Sequence, residues 1–453
     1  MELNSSPPNL RSSVHTAKRF YSRFDALPLY DHVHRVFRRE VDERIVDSEI
    51  INAFDKDPKS AVRHSIIAET SLYHVVDSDK LAESGPELSF LPGNHPLLNP
   101  DIRREIQVFG RLITLEREGA PLSDYPHVLN HGDAPLALFA RLADYAVTHN
   151  TEDRTPGHIS HNQSPLFRMY SSKKHARQCL EMEAKIGEML YVRLAEVFGF
   201  PNLAGDILKH AYKINHEVVH DHVMKVLDDP QVRLQLKATQ SIVRKLIKQL
   251  KHAFFEAGFD VDIIPRMEKH AGKIMRKFYH RVIERQKNVL EAQRVPLPEF
   301  TAARISDYNL SHISDPVALK VVLDKFHGNP IDDMEPAKKQ EVLKIALDMV
   351  ELNLRILKLT QGFTYLYDFK EKGNDYRSAH FDATPRPGQD TLPFEVQVKT
   401  RLWDEIASHG KAAHEYYKTD QEEQPEEIKN CIDSIKTTYH NLLYRKHNGE
   451  NGS

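Results

Sequence analysis

Cysteine is almost absent: Cys179 and Cys431 are the only two in 453 residues, and they lie far apart. A disulfide framework and a cysteine-based zinc centre are therefore not suggested. No run of about 18 apolar residues is present that would span a bilayer. The first residues, MELNSSPPNLRSS, lack the apolar core of a secretory signal, so a cytoplasmic location is expected. Tryptophan occurs once, at Trp403, and charge is nearly balanced, with a formal net of -3. Neither sign dominates enough to name a partner. With 40% hydrophobic and 28% charged residues, the composition is that of a folded protein and not of a disordered one.

At this length a single core is disfavoured and two domains are expected. Residues 1–28 mix Ser, Pro, Asn and basic residues without period, which suits a flexible lead-in. From 29 to 205 the pattern is helical, with apolar spacing at Leu136, Leu138, Phe139, Leu142 and Ala143, and again at Ile186, Met189, Leu190, Leu194 and Val197. The stretches 83–100 and 150–165 have loop composition. A basic helical stretch runs over about 204–290, its part at 206–235 acting as a linker. From about Asp315 the pattern changes. The segments 318–323, 362–369 and 394–400 are short and β-branched or aromatic, and helical segments such as 338–358 separate them. The fold class expected is α+β, a helical domain followed by a mixed-sheet domain at 236–420, with a helix and tail at 421–453 containing Ile432, Ile435 and Leu442.

Three features of the second half suggest phosphate chemistry. Several of Lys269, Lys273, Arg276 and Lys277 share a face if they lie in one helix, which suits a polyphosphate, although a basic run taken alone is more often a solvated surface. Asp315 precedes one strand and Glu395 lies inside another. Carboxylates so placed beside cations can hold Mg²⁺, although an Asp before a strand is also a common turn residue. In KEKGNDYRSAH, at 370–380, Gly373 and Asn374 permit a tight turn that presents Tyr376. Its ring can stack on a base or pack on the sheet.

In order, KHAGKIMRKF, SDPVALKVVL, KGNDYRSAH and FEVQVKTRLWDEIASHGKAAHEYYK, spread over residues 269–418, resemble the successive motifs of the RelA/SpoT synthetase domain. That resemblance implies a nucleotidyltransferase-like fold and a pyrophosphokinase that makes the alarmone (p)ppGpp from ATP and GDP or GTP with Mg²⁺. It implies that Lys269, Arg276 and Lys277 grip the ATP phosphates and that Asp315 and Glu395 serve the metal and the acceptor hydroxyl. Tyr376 would stack on guanine, with Lys372, Asn374, Arg377 and His380 around it, and Gln397, Lys399 and His414 would line the back of the cleft. Asp375 stands where the family usually has Gly, and Lys399 where it has Arg. Arg266 lies one position farther from Lys269 than usual. An ammonium in place of a guanidinium loses bidentate phosphate contacts.

The helical half resembles the HD-type hydrolase domain that precedes the synthetase in long relatives. Tyr73 and His74 stand at the place of the metal-binding His-Asp doublet. Asp144 matches a further metal-ligating Asp, with Tyr145 where a basic residue is usual. Without the doublet, two ligands are missing at once. The resemblance thus implies a silent hydrolase fold kept for regulation. His32, His34, His64 and His74 match no metal-binding spacing. Two alternatives remain open on sequence: a nucleotide-binding regulator without turnover, and a transferase with an adenine nucleotide or an RNA 3′ end as acceptor. The basic stretch 243–288 leaves RNA open, while the Tyr376 loop favours a free nucleotide. No membrane partner is expected.

Overall fold

The structure is a computed structural model that describes residues 100–131, 137–148, 181–198, 200–284, 315–371, 377–409 and 426–435, with single positions at 17, 18, 34, 36, 70, 310 and 437. The chain divides into a first unit, Met1–Asn215 with Glu423–Ser453, and a second, His216–Glu422. No described helix is long and apolar enough to cross a membrane.

The described elements of the first unit are helices. They are α1 (Pro100–Glu118), α2 (Asp124–His131), α3 (Ala137–Thr148), α4 (181–197), α5 (Pro201–Asn215) and a further helix at 426–435. The apolar spacing read from the sequence is the core here. Leu138, Phe139, Leu142 and Ala143 of α3 are buried, as are Ile186, Leu190 and Leu194 of α4. Phe139 meets Phe198 and Phe200 edge-on at 5.3 and 6.1 Å. Within α4 the turn Gly187–Tyr191 is π-helical. Gly187 is required there, because a Cβ at that position would lie 2.2 Å from the Tyr145 hydroxyl. The helix at 426–435 buries Ile428, Cys431, Ile432 and Ile435, and burial pushes the Cys431 thiol up to about 12. Leu136, Leu442, Cys179 and the stretches at 83–99 and 150–165 lie outside the described residues.

The second unit opens with α6 (Glu217–Asp228) and α7 (Pro230–Glu256). Asp229 caps α7: its carboxylate accepts from the amides of Gln231 at 2.7 Å and Val232 at 3.4 Å, and Pro230 supplies the first helical residue. The unbroken helical stretch expected over 204–290 is corrected here. Helix α7 ends at Glu256, Gly258 turns the chain with φ +79°, and β1 (Phe259–Arg266) follows before α8 (Ala271–Glu284). A side chain at Gly258 would meet the His327 ring at 2.4 Å. The alternating segment FDVDIIPR has the period of a strand, and that local pattern prevails over the helical trend around it.

Next come β2 (Val317–Phe326), β3 (Asn329–Pro330), α9 (Pro336–Gln361), β4 (Phe363–Glu371), β5 (Arg377–Pro385), β6 (Phe394–Thr400) and α10 (Arg401–His409). The sheet order is β1-β2-β6-β5-β4, with β3 paired to β2. β2 and β6 are parallel, and the other neighbouring pairs are antiparallel. A parallel pair needs a crossover, which α9 and the β4–β5 hairpin provide. The long segment between Asp324 and Gly362 thus becomes mainly α9, ended by Gly362 at φ +69°. Helix α7 packs on β1, β2 and α9, and α9 packs on β4. Strand β6 sits in the middle of the sheet. Its Phe394, Val396 and Val398 point to one face, and Glu395, Gln397 and Lys399 to the other. Both faces are largely buried, so the polar set is held away from water.

Candidate active site

The register of β6 against its neighbours assembles the site. Across β2, Ala318 lies opposite Glu395 and Lys320 opposite Gln397; across β5, Asp382 lies opposite Glu395 and His380 opposite Gln397. Paired residues share a face, so one side of the sheet carries Lys320, Glu395, Gln397, Lys399, His380 and Asp382. Arg266 at the end of β1 lies opposite Ala318 and joins the same face.

Asp315, just before β2, is the anionic centre of one corner. Its Oδ2 receives Lys269 Nζ at 2.6 Å and Arg266 Nη2 at 2.9 Å, and its Oδ1 receives Lys277 Nζ. Burial opposes ionisation, but Lys269, Lys277 and Arg266 together outweigh it and hold the carboxyl well below the usual range. Burial pulls the Lys269 ammonium well below its ordinary value, and Asp315 pulls it back. With the carboxylate 2.6 Å away we assign this contact as an ion pair; two more cations would keep Asp315 ionised in any case. One expectation is corrected by geometry. Lys269 precedes α8 instead of lying on it, because the His270 imidazole accepts from Gly272 N at 3.2 Å and the helix starts at Ala271. The Lys269 amide donates to Pro316 O, which fastens the lysine to the mouth of β2. Arg276 on α8 is buried.

Glu395 centres the second corner. Its Oε2 lies 3.0 Å from His380 Nδ1, and its Oε1 accepts from Gln397 Nε2. Lys370 Nζ is 3.3 Å from the same His380 nitrogen. One nitrogen cannot both donate to Glu395 and accept from Lys370, so the proton sits on Nδ1 when Glu395 is ionised. Burial works against ionisation of Glu395, but the His380 contact and then Gln397 outweigh it and the carboxyl lies below its ordinary value. Asp382 is shifted the other way, first by burial and then by Glu395, with Lys370 and His380 opposing. The charge of Asp315 acts on both Glu395 and Asp382, which ties the two corners together. At the far end of β6, burial lowers Lys399 to about 8 while Asp404 pulls against that shift. Lys320 is clamped to Asp404 at 2.7 and 2.8 Å.

Residues 266–422 match a family described as a region found in RelA / SpoT proteins. The match covers about a third of the chain. Among solved structures, small alarmone synthetase 1 from Bacillus subtilis matches at 13% identity and a TM-score of 0.23, over 48% of this chain and 94% of that one. The same Bacillus protein bound to its product pppGpp matches at 15% identity, again with a TM-score of 0.23, over 47% of this chain and 90% of that one. No curated protein matches the chain.

Within the matched segment, Lys269, Lys277, Asp315, Glu395, His380, Gln397 and Lys399 are brought to one face. Arg377 is not. It points to the opposite face of β5, pairs with Glu371 at 2.7 Å, and lines a groove of about 890 Å³ with Tyr367, Phe369 and Trp403. Lys372, Asn374, Tyr376 and His414 lie outside the described residues. Sequence reading missed Arg266 as a site residue, along with Lys320, Lys370 and Asp382. The signal for Asp382 was present, since it stands two residues from His380 on a strand and must share its face.

In the first unit, Asp144 is buried beside a guanidinium. Arg141 Nη1 donates to Asp144, its Nε donates to Glu116 Oε1 at 2.9 Å, and its Nη2 contacts Glu116 and lies 3.9 Å from Glu183. Tyr191 donates to Glu116 as well. All four charged residues are buried. Burial raises the Glu116 carboxyl, against the pull of Arg141. Tyr73, His74, His32 and His64 lie outside the described residues.

Proposed function

We propose that the second unit is a pyrophosphokinase that moves a pyrophosphate group from ATP to the 3′-hydroxyl of GDP or GTP. The observation that supports this most is a pair of buried, ionised carboxylates, Asp315 and Glu395, that feel each other's charge, with Arg266, Lys269 and Lys277 converging on Asp315. In this reading a bond forms between the 3′-oxygen and the β-phosphorus of ATP, the bond from that phosphorus to the α,β-bridging oxygen breaks, and AMP leaves. Such a transfer needs alignment and neutralisation of spreading negative charge more than covalent help. The three cations release Asp315 in part and turn to the phosphates. Glu395 takes the proton of the 3′-hydroxyl, with His380 and Gln397 fixing its direction.

The donor set suits Mg²⁺, because both carboxylates are hard oxygen ligands held in their charged form. Asp315 and Glu395 would hold it, and it would supply neutralisation of phosphate charge. The test is incubation of the full chain with Mg-ATP and GDP or GTP, resolved by anion-exchange chromatography. Equal amounts of AMP and a 3′-pyrophosphorylated guanine nucleotide are expected. Release of ADP and phosphate alone, or transfer only to adenine nucleotides or RNA ends, would replace this reading.

Lys399 provides a pH prediction. A lysine lowered to about 8 carries its charge below that pH and loses it above. If its ammonium serves the nucleotide phosphates, acceptor affinity falls as pH rises through about 8. Lys399→Arg stays protonated throughout and is expected to flatten that alkaline limb. A KM profile between pH 7 and 9.5 that is the same in both proteins would remove Lys399 from phosphate binding.

We read the first unit as catalytically silent and regulatory. What supports this is the guanidinium of Arg141 lying against Asp144, the residue that the resemblance places on a metal.

A further inference from the structure

Three carboxylates, Asp315, Glu395 and Asp382, act on one another at the candidate site, and they differ in what their oxygens touch. Both oxygens of Asp315 receive cations, and both oxygens of Glu395 are engaged, by His380 and Gln397. Asp382 is different. Its Oδ1 is buried and has no hydrogen-bond partner among the described residues. Asp382 stands directly opposite Glu395 in the β5–β6 ladder, so their side chains leave the sheet side by side.

Like charges directly opposite each other weaken a sheet, and an unsatisfied buried oxygen adds to that cost. Lys370 and His380 favour its charge from nearby, but neither donates a hydrogen bond to this oxygen. Phe381 and Ala383, its neighbours along the strand, face the other way into the apolar core. An acceptor oxygen with no donor fits a ligand that brings one, and a carboxylate beside a second carboxylate fits a ligand that brings two on adjacent atoms. The vicinal 2′- and 3′-hydroxyls of a ribose are such a pair.

We infer that Asp382 accepts a hydrogen bond from the 2′-hydroxyl of the acceptor ribose while Glu395 meets the 3′-hydroxyl, so that the site selects a ribonucleotide over its 2′-deoxy analogue. This rests on the pyrophosphokinase reading above. It makes Asp382 a specificity residue, distinct from the proton acceptor. A site built to pair with a hydroxyl discriminates strongly against the analogue lacking it, because the carboxylate is then left without a partner.

The experiment measures calorimetric binding of GDP and of 2′-deoxy-GDP to the full chain, in the wild type, Asp382→Ala and Asp382→Asn, with folding checked by circular dichroism. Binding is read independently of turnover. The wild type is expected to favour GDP by at least tenfold. Asp382→Ala should lose that preference by weakening GDP alone, and Asp382→Asn, which keeps an accepting oxygen, should retain part of it. Equal weakening of both nucleotides in Asp382→Ala, or an unchanged preference, overturns the inference. Should Asp382→Ala fail to fold, Asp382→Asn decides: a preference for GDP reduced from that of the wild type supports the inference, and a preference unchanged from the wild type overturns it. If the wild type binds neither nucleotide, the pyrophosphokinase reading falls and the inference falls with it. If it binds both equally, the inference alone falls.

Discussion

Glu395→Gln is expected to lower pyrophosphate transfer by about 10²–10³-fold, the scale of losing one preorganised electrostatic group in an active site, while leaving the protein folded. The substitution keeps size and shape and removes only charge. His380 can still donate to the remaining carbonyl oxygen, so the strand packing around position 395 has no reason to change. Loss of the repulsion with Asp382 across β5–β6 is expected to offset any weakened contact. Single-turnover rates with saturating Mg-ATP and guanine nucleotide, set beside thermal melting, would check both parts. A variant with near-normal turnover would take Glu395 out of the chemistry. Asp315→Asn makes an instructive contrast. It strips the counter-ion from Lys269, which is only 5% exposed, so stability is lost together with activity. Both carboxyls are held below their ordinary values, so their contribution to stability is present above about pH 4 and is lost as pH falls through the folded values. Asp315, held lower, yields last.

Arg141→Met is expected to destabilise the first unit by about 3–5 kcal/mol, the cost of removing one partner from a buried ion network. Arg141 is 2% exposed, and its guanidinium is shared by Glu116, Asp144 and Glu183, none more than 5% exposed. Without it the carboxyls must protonate or remain charged in an apolar core. Their folded pKa values would then lie above the unfolded ones, so the stability deficit should be small in acid and should grow as pH rises toward neutrality. The two units can be followed separately, because the only tryptophan, Trp403, lies in the second. Urea unfolding should show an early loss of helical circular dichroism in the variant, with Trp403 fluorescence changing little from wild type. Coincident, unshifted transitions would show that the network contributes little.

These two residues illustrate what a sequence can disclose. Glu395 was legible because FEVQVKT alternates strictly, and a polar set at every second position of a strand must share a face. Arg141 was not legible as a site residue. An arginine three positions before an aspartate on a helix looks like a solvated pair, and only packing shows it sealed under α1 and α4. Lys269 was read as helical because its spacing to Lys273 and Arg276 fits a helix. The His270 cap starts α8 later, a local hydrogen bond that periodicity does not register. Strand β1 was hidden by the helical trend on both sides of it.

The sequence by itself determined the order of motifs, the change from helical to mixed pattern near Asp315, and the residue types for phosphate chemistry. These follow from local periodicity and from side-chain chemistry, which need no knowledge of distant contacts. Only the tertiary structure decided which of those residues meet. Placing β6 between β2 and β5 sets Glu395 between Asp315 on one side and His380 and Asp382 on the other, and it turns Arg377 to the far face. The physical reason is register: pairing across strands distant in sequence selects the face on which each side chain emerges, and a slip of one residue would have exchanged the two sets.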